Sequence, residues 1–121
     1  MRIISGKFRG KKLNLPFDKN TRPLKDMTKE SIFNLLLHSK NYSINFKKLK
    51  VLDLFSGSGS FGLECLSRDV KEVIFVENYS PAIKILKKNI QSLGLNNGYK
   101  ILEENIFNLK KYSELKKNYD L

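Results

Sequence analysis

Along the 121 residues the spacing of apolar positions changes character three times. Short alternating runs, Arg2-Ile3-Ile4 and Lys12-Leu13-Asn14-Leu15, flank Gly6 and Gly10 and predict a β-hairpin. Pro16 to Pro23 is polar and turn-rich. A helical pattern follows, with Asp26 as N-cap and Ile32, Phe33, Leu35, Leu36 and Leu37 as its apolar face. Asn41 to Lys48 is a polar linker. From Lys50 strands and helices alternate. Val51 to Phe55 reads as a strand, Phe61, Leu63 and Leu66 mark a helix, and Val73-Ile74-Phe75-Val76 has the continuous apolar character of a buried parallel strand. Ser80 and Pro81 then start a helix whose face is Ile83, Leu86, Ile90 and Leu93, with Gly94 just past its end. Tyr99 to Leu102 is a third strand, residues 105–118 are a weaker helix, and Tyr119-Asp120-Leu121 opens another strand.

This β-α-β-α-β order implies an α/β fold, a doubly wound parallel sheet. In an open sheet whose order reverses beside the first strand, the next strand pairs with that first one. A chain lacking it would leave an apolar edge open to aggregation. The sequence therefore reads as part of a longer protein. Residues 1–23 form a basic arm, 24–49 a helix and linker, and 50–121 the N-terminal half of an α/β domain, truncated before strand four.

Composition narrows the class. With 40% apolar and 29% charged residues the chain is a globular protein of one domain at most. No run approaches the roughly 18 apolar residues of a membrane span, and no signal-peptide block opens the chain. The single Cys65 excludes an internal disulfide and fits a reducing, cytoplasmic setting. The net charge of +11 points to an anionic partner, although lysine richness by itself is ordinary solvated surface. Arginine is more telling: Arg2, Arg9 and Arg22 all fall in the first 30 residues, leaving Arg68 alone downstream. Basic density is thus N-terminal, as in a segment that touches phosphates. His38, the only histidine, has no Cys or acidic neighbour and reads as a surface residue, and no metal site is expected.

Chemistry concentrates at Val51-Leu52-Asp53-Leu54-Phe55-Ser56-Gly57-Ser58-Gly59-Ser60-Phe61-Gly62. A strand, a Gly-x-Gly turn and a helix N-terminus make a cradle whose backbone N–H groups face a ligand. Gly57, Gly59 and Gly62 satisfy the dinucleotide pattern G-x-G-x-x-G, a weak match when it stands alone. Asp53 opposes that reading, because a carboxylate aimed at a pyrophosphate is repulsive. It suits the cationic methionine end of S-adenosylmethionine, whose carboxylate meets the helix N-terminus. Glu77, ending the second strand, serves either nucleotide by accepting from ribose hydroxyls. Glu103-Glu104-Asn105-Ile106, after the third strand, is either an adenine contact or a solvated loop.

Together Met1 to Leu13, Thr21-Arg22-Pro23, Glu30 to Leu35, Val51 to Glu64 and Phe75-Val76-Glu77 resemble RsmD-type 16S rRNA guanine-N2 methyltransferases over the whole chain. The resemblance implies a Rossmann-like S-adenosylmethionine-dependent fold preceded by a basic hairpin. It implies methylation of a guanine in small-subunit rRNA, on naked RNA or an assembly particle, by a protein that is monomeric at full length. Asp53, Gly57 and Gly59 would hold the methionine end, Glu77 the ribose and Asn105 the adenine edge, while Phe33 and Asn34 would help close the pocket. Arg2, Lys7, Arg9, Lys11, Lys12 and Arg22 would form the RNA surface. The family's Asp/Asn-Pro-Pro-aromatic tetrapeptide, which orients the acceptor amine, is absent: the three prolines, Pro16, Pro23 and Pro81, are isolated. The catalytic motif is expected beyond residue 121, and these residues by themselves are expected to be inactive. The alternatives are a non-catalytic RNA- and cofactor-binding fragment, an adenine-N6 methyltransferase and, from another class, a nicotinamide oxidoreductase.

Overall fold

A computed structural model describes residues 1–15, 25–38, 46–105 and 119–121. The helix expected over 105–118 (its first residue excepted), the Pro16–Pro23 stretch and Arg22 lie outside the described residues. The elements are α1 (Asp26–His38), a 3₁₀ turn (Phe46–Lys48), β1 (Lys50–Leu54), α2 (Ser60–Ser67), β2 (Glu72–Val76), α3 (Ser80–Ser92) and β3 (Tyr99–Leu102).

The three strands pair in parallel in the order β1-β2-β3, with Val51 beside Val73 and Val73 beside Tyr99. On the other side of β1, Asp120 N–H donates to the Lys50 carbonyl and Leu52 N–H to the Leu121 carbonyl. Residues 119–121 thus lie hydrogen-bonded beside β1, while the sheet of the described residues has three strands. The expected first strand runs one residue further than the observed one. β1 stops at Leu54 because Phe55 adopts φ +56°, a left-handed conformation that ends extended pairing.

The N-terminal arm is a hairpin reduced to essentials. Arg2 and Lys12 form an antiparallel bridge, supported by Ile3 N–H to the Lys11 carbonyl (2.9 Å) and Leu13 N–H to the Met1 carbonyl (3.0 Å). Its inward residues, Ile3 and Leu13, join the main core with Phe33, Val51, Leu63, Val73, Phe75 and Leu86. The loop of the hairpin wraps the C-terminal end of α2. Lys7 N–H satisfies the Ser67 carbonyl at 2.9 Å, while the Ser67 hydroxyl accepts from Phe8 N–H and donates to the Ser5 carbonyl. Gly6, at φ +90°, comes so close to α2 that a Cβ would lie 2.0 Å from the Ser67 carbonyl oxygen. Gly6→Ala is therefore expected to cost about 1–3 kcal/mol of stability, measured by urea unfolding, with loss of hairpin protection in amide exchange.

Helix α1 corrects the expected pattern twice. Leu35 and Leu37 are exposed, and the buried stripe is Lys29 and Phe33 with Leu36 half-buried beside them. A lysine thus takes a core position that the apolar periodicity does not assign. Asp26 is the first helical residue, and its carboxylate accepts from Arg2 N–H at 3.3 Å, outside the helix.

Candidate functional site

The turn between β1 and α2 lies at the carboxyl end of the sheet, the side on which open α/β sheets bind ligands. Its shape demands outside support. Phe55, Gly57 and Gly59 all have positive φ (+56°, +56° and +88°). Gly59, the N-cap of α2, has no side chain with which to satisfy the helix's first N–H groups. Side chains from four separate parts of the fold supply that support, three of them buried and that of Glu77 half-buried.

Asp53, on β1, accepts from Gly62 N–H at 3.1 Å and so does the capping that Gly59 does not. Glu77, at the end of β2, accepts from Gly57 N–H at 2.9 Å and also from Asn78 and Tyr79 N–H. Asn89, on α3, donates to the Ser58 carbonyl at 2.9 Å. Lys29, on α1, donates to Ser60 Oγ at 3.2 Å. Residues 57, 58, 60 and 62 are each held by a side chain from elsewhere in the fold. Gly59 and Gly62 are glycine for packing as well: a Cβ would meet Leu86 and Phe75 respectively at 2.3 Å.

Asp53 is buried, and desolvation raises its pKa to about 7, against a lowering by the Gly62 N–H and with a further rise from Glu77. A carboxyl in that state is poised to ionise when a cation approaches. Among the described residues, none accepts from the backbone N–H of Ser58, Ser60 or Phe61, which leaves donors for an anionic group at the same turn. A carboxylate has about four acceptor positions, and three of those on Glu77 are taken, so one remains on Oε1 for an incoming hydroxyl. Among the described residues no cluster of His, Cys, Asp and Glu fits a metal, and no helix is long and apolar enough to cross a membrane. The Cys65 thiol is buried, and desolvation pushes its pKa up, which keeps it unreactive.

The other predicted residues separate into groups. Asn105 is exposed just beyond β3, on the same edge as the turn. Phe33 does not open onto that edge. Its ring is fully buried, 5.1 Å from Phe61 in a stacked pair and 4.2 Å beneath the Arg68 guanidinium, so in this conformation no ligand touches it. It acts on the turn only by packing the second residue of α2. Asn34 is exposed in a shallow groove with Ser31, Leu35 and His38. Arg2, Lys7, Arg9, Lys11 and Lys12 are all exposed on the hairpin, with Lys7 3.9 Å from Asp69 in an exposed pair.

The residues that sequence reasoning missed form a buried polar network under the hairpin. Glu64 accepts from Ile4 N–H (2.8 Å), Ser5 N–H (3.0 Å) and Arg68 Nε (2.9 Å) and is ion-paired with Lys29 Nζ at 3.2 Å, and neither Glu64 nor Lys29 is exposed at all. Besides this ion pair, Lys29 Nζ donates to the Arg2 carbonyl at 2.7 Å and to Ser60 Oγ. The available signal was Glu64 itself, a charge set among Leu63, Cys65 and Leu66 on a short helix.

Comparison with known proteins places this arrangement. The family described as "Conserved hypothetical protein 95" matches residues 1–121, the entire chain. The ribosomal RNA small subunit methyltransferase D of Buchnera aphidicola (subsp. Baizongia pistaciae) is 35% identical over 121 residues, covering 100% of this chain and 58% of that protein. The chain belongs to the RsmD family. The Haemophilus influenzae member is 42% identical over 93 residues, covering 77% of this chain and 45% of its own length. The chain thus spans about half the length of the curated RsmD relatives it matches. Solved structures agree on the S-adenosylmethionine-dependent methyltransferase fold. The Thermus thermophilus hypothetical protein TTHA0928 superposes with a TM-score of 0.75 at 27% identity, over 97% of this chain and 63% of that one. The Escherichia coli protein yhhF gives 0.71 at 30% identity, over 87% of this chain and 52% of that one.

Proposed function

We propose that this chain is the donor-binding and RNA-docking half of an RsmD enzyme that methylates a guanine N2 amine in small-subunit rRNA. The observation that carries the reading is Asp53, a buried carboxyl under a turn with open N–H groups, flanked by a hairpin with five exposed cations. When bound, S-adenosylmethionine supplies the methyl group on its sulfonium. The chain's own residues bind and orient. Asp53 pairs with the ammonium, the N–H groups of Ser60 and Phe61 meet the carboxylate, and Gly57 and Gly59 allow close approach. Glu77 accepts one ribose hydroxyl through Oε1, and the Asn105 carbonyl accepts at the adenine edge. Arg2, Lys7, Arg9, Lys11, Lys12 and Arg22 draw in the rRNA backbone, and an acceptor guanine paired or stacked in RNA is flipped out to reach the donor.

Calorimetry tests the cofactor: S-adenosylmethionine should bind and NAD should not, and the reverse would return the glycine turn to a dinucleotide reading. Binding also carries a pH signature. The ammonium requires ionised Asp53, so affinity should fall as the pH drops below about 7, approaching tenfold per unit, and fall again above about 8, where an α-amino group loses its proton. Proton release, read from titrations in buffers of different ionisation enthalpy, checks the same point. An affinity unchanged between pH 5.5 and 8 would refute the role of Asp53.

A second reading is favoured by one observation, the absence of an Asp/Asn-Pro-Pro-aromatic tetrapeptide from the sequence. On that reading the 121 residues bind cofactor and RNA without turnover. Methyl transfer to small-subunit particles by the chain alone would exclude it. RNA binding with a log–log salt slope of about −4, from five or six phosphate contacts, together with no transfer, would support it.

A further inference from the structure

Two of the four side chains that hold the glycine turn also hold the hairpin. Asn89 is fully buried and uses both ends of its amide. Its Nδ2 donates to the Ser58 carbonyl at 2.9 Å and to the Asn14 carbonyl at 3.2 Å. Its Oδ1 accepts from Asn14 N–H at 2.7 Å and from Asn14 Nδ2 at 2.9 Å. Lys29 does the same on the other side, joining the Arg2 carbonyl to Ser60 Oγ. Arg2 and Asn14 stand on the two opposite sides of the hairpin, and Ser58 and Ser60 bracket Gly59. The hairpin is therefore tied by one buried polar bridge on each side to the turn that would seat the cofactor.

We infer that hairpin docking and turn geometry are one cooperative unit, so that RNA on the hairpin and S-adenosylmethionine in the turn each strengthen binding of the other. This rests on the reading of both sites given above. Asn89 and Lys29 are its positioning residues. The physical basis is the cost of an unpaired buried polar group. If the hairpin lifts, Asn89 loses three of its four side-chain hydrogen bonds and Lys29 one of its two, both become freer to rotate, and two of the turn's four supports are weakened. A ligand that binds only the docked hairpin therefore favours the ordered turn, and by linkage a ligand of the ordered turn favours the docked hairpin. The bridges run through side chains with few alternatives: Asn89 is packed among buried α3 residues, and Lys29 is locked by Glu64.

The test has one arm that needs no ligand. Asn89→Asp keeps the acceptor for Asn14 N–H and Nδ2 and removes the donor to the Ser58 and Asn14 carbonyls, so the turn loses its bond to residue 89 while the hairpin keeps two of its three. Amide exchange at Gly57 and Gly59, the hydrogen-bonded N–H groups of the turn, should accelerate about tenfold, with Ile3 and Leu13 unchanged. Unaltered exchange at the turn overturns the inference, whatever the fate of the cofactor reading. In the second arm, wild-type chain is titrated with S-adenosylmethionine with and without a saturating small-subunit rRNA transcript. Affinity should rise about fivefold or more with RNA, and the ratio should fall to near one in Asn89→Asp. Equal wild-type affinities with both ligands bound, or an undiminished ratio in the variant, overturn it. Failure of the wild-type chain to bind either ligand counts against the proposed function, and the exchange arm then decides the coupling alone.

Discussion

Asp53→Asn should weaken S-adenosylmethionine binding by about 30- to 5,000-fold while making the free chain more stable above neutral pH. The affinity loss follows from removing one partner of a desolvated, hydrogen-bonded charge pair, a change that costs about 2–5 kcal/mol. The stability gain follows from linkage. The Asp53 carboxyl titrates at about 7 in the fold and at 3.8 as an ordinary carboxyl, so between those values the native state binds more protons than the unfolded one. Ionising it therefore lowers stability as pH rises through that window, and an amide carries no such penalty. The Asn side chain still offers an oxygen to Gly62 N–H, so the start of α2 stays capped. Urea unfolding at pH 5 and pH 8 with calorimetry at pH 8 reads both effects. A variant that binds as tightly as wild type would remove Asp53 from the cofactor site. One that unfolds more readily at pH 8 would make its role purely structural.

The largest stability effect is expected at Glu64→Ala, about 3–5 kcal/mol, the cost of leaving a buried charge without its partner. Domains of this size have only about 5–15 kcal/mol in total, so the variant sits near the limit of folding. Three donors, two backbone N–H groups of the hairpin and Arg68, converge on that carboxylate, and Lys29 is ion-paired with it. Truncation removes the acceptor of the two N–H groups and of Arg68 Nε, leaves Lys29 without its counter-charge, and takes away the floor on which the hairpin rests. Lys29→Met should cost less, because Glu64 keeps its three donors and the methionine fills the space. Denaturation midpoints in that order, with Ile4 and Ser5 losing exchange protection first in Glu64→Ala, would bear out the account. Equal and small losses in both variants would show the pair to be dispensable.

Much of this architecture is legible in the chain. Strand and helix periods place β1, β2, α3 and β3 to within a residue or two, because each buries one continuous apolar run or stripe. The boundary of β1 is the exception, set by the left-handed Phe55, for which no residue preference speaks. The buried face of helix α1 is not legible, since periodicity assigns apolar residues inward and cannot anticipate a lysine whose ammonium is ion-paired and hydrogen-bonded inside the fold. For the same reason Phe33 reads as a pocket residue when it belongs to the core.

What the sequence by itself determined is the local chemistry: a β-α-β order, a glycine turn preceded by a carboxylate, an acidic residue ending the next strand and a cationic arm. Spacing along the chain encodes these, because each depends on neighbours within a few residues. Only the tertiary structure decided what each polar group is bonded to. It directs Asp53 to the amide of Gly62, fills most of Glu77 with backbone donors, and brings Lys29, Glu64 and Asn89 from separate elements to join hairpin and turn. The bonds of Asp53 and Asn89 span 9 to 75 positions in sequence. Their energies exist only where folding has removed water, and no local pattern carries that information.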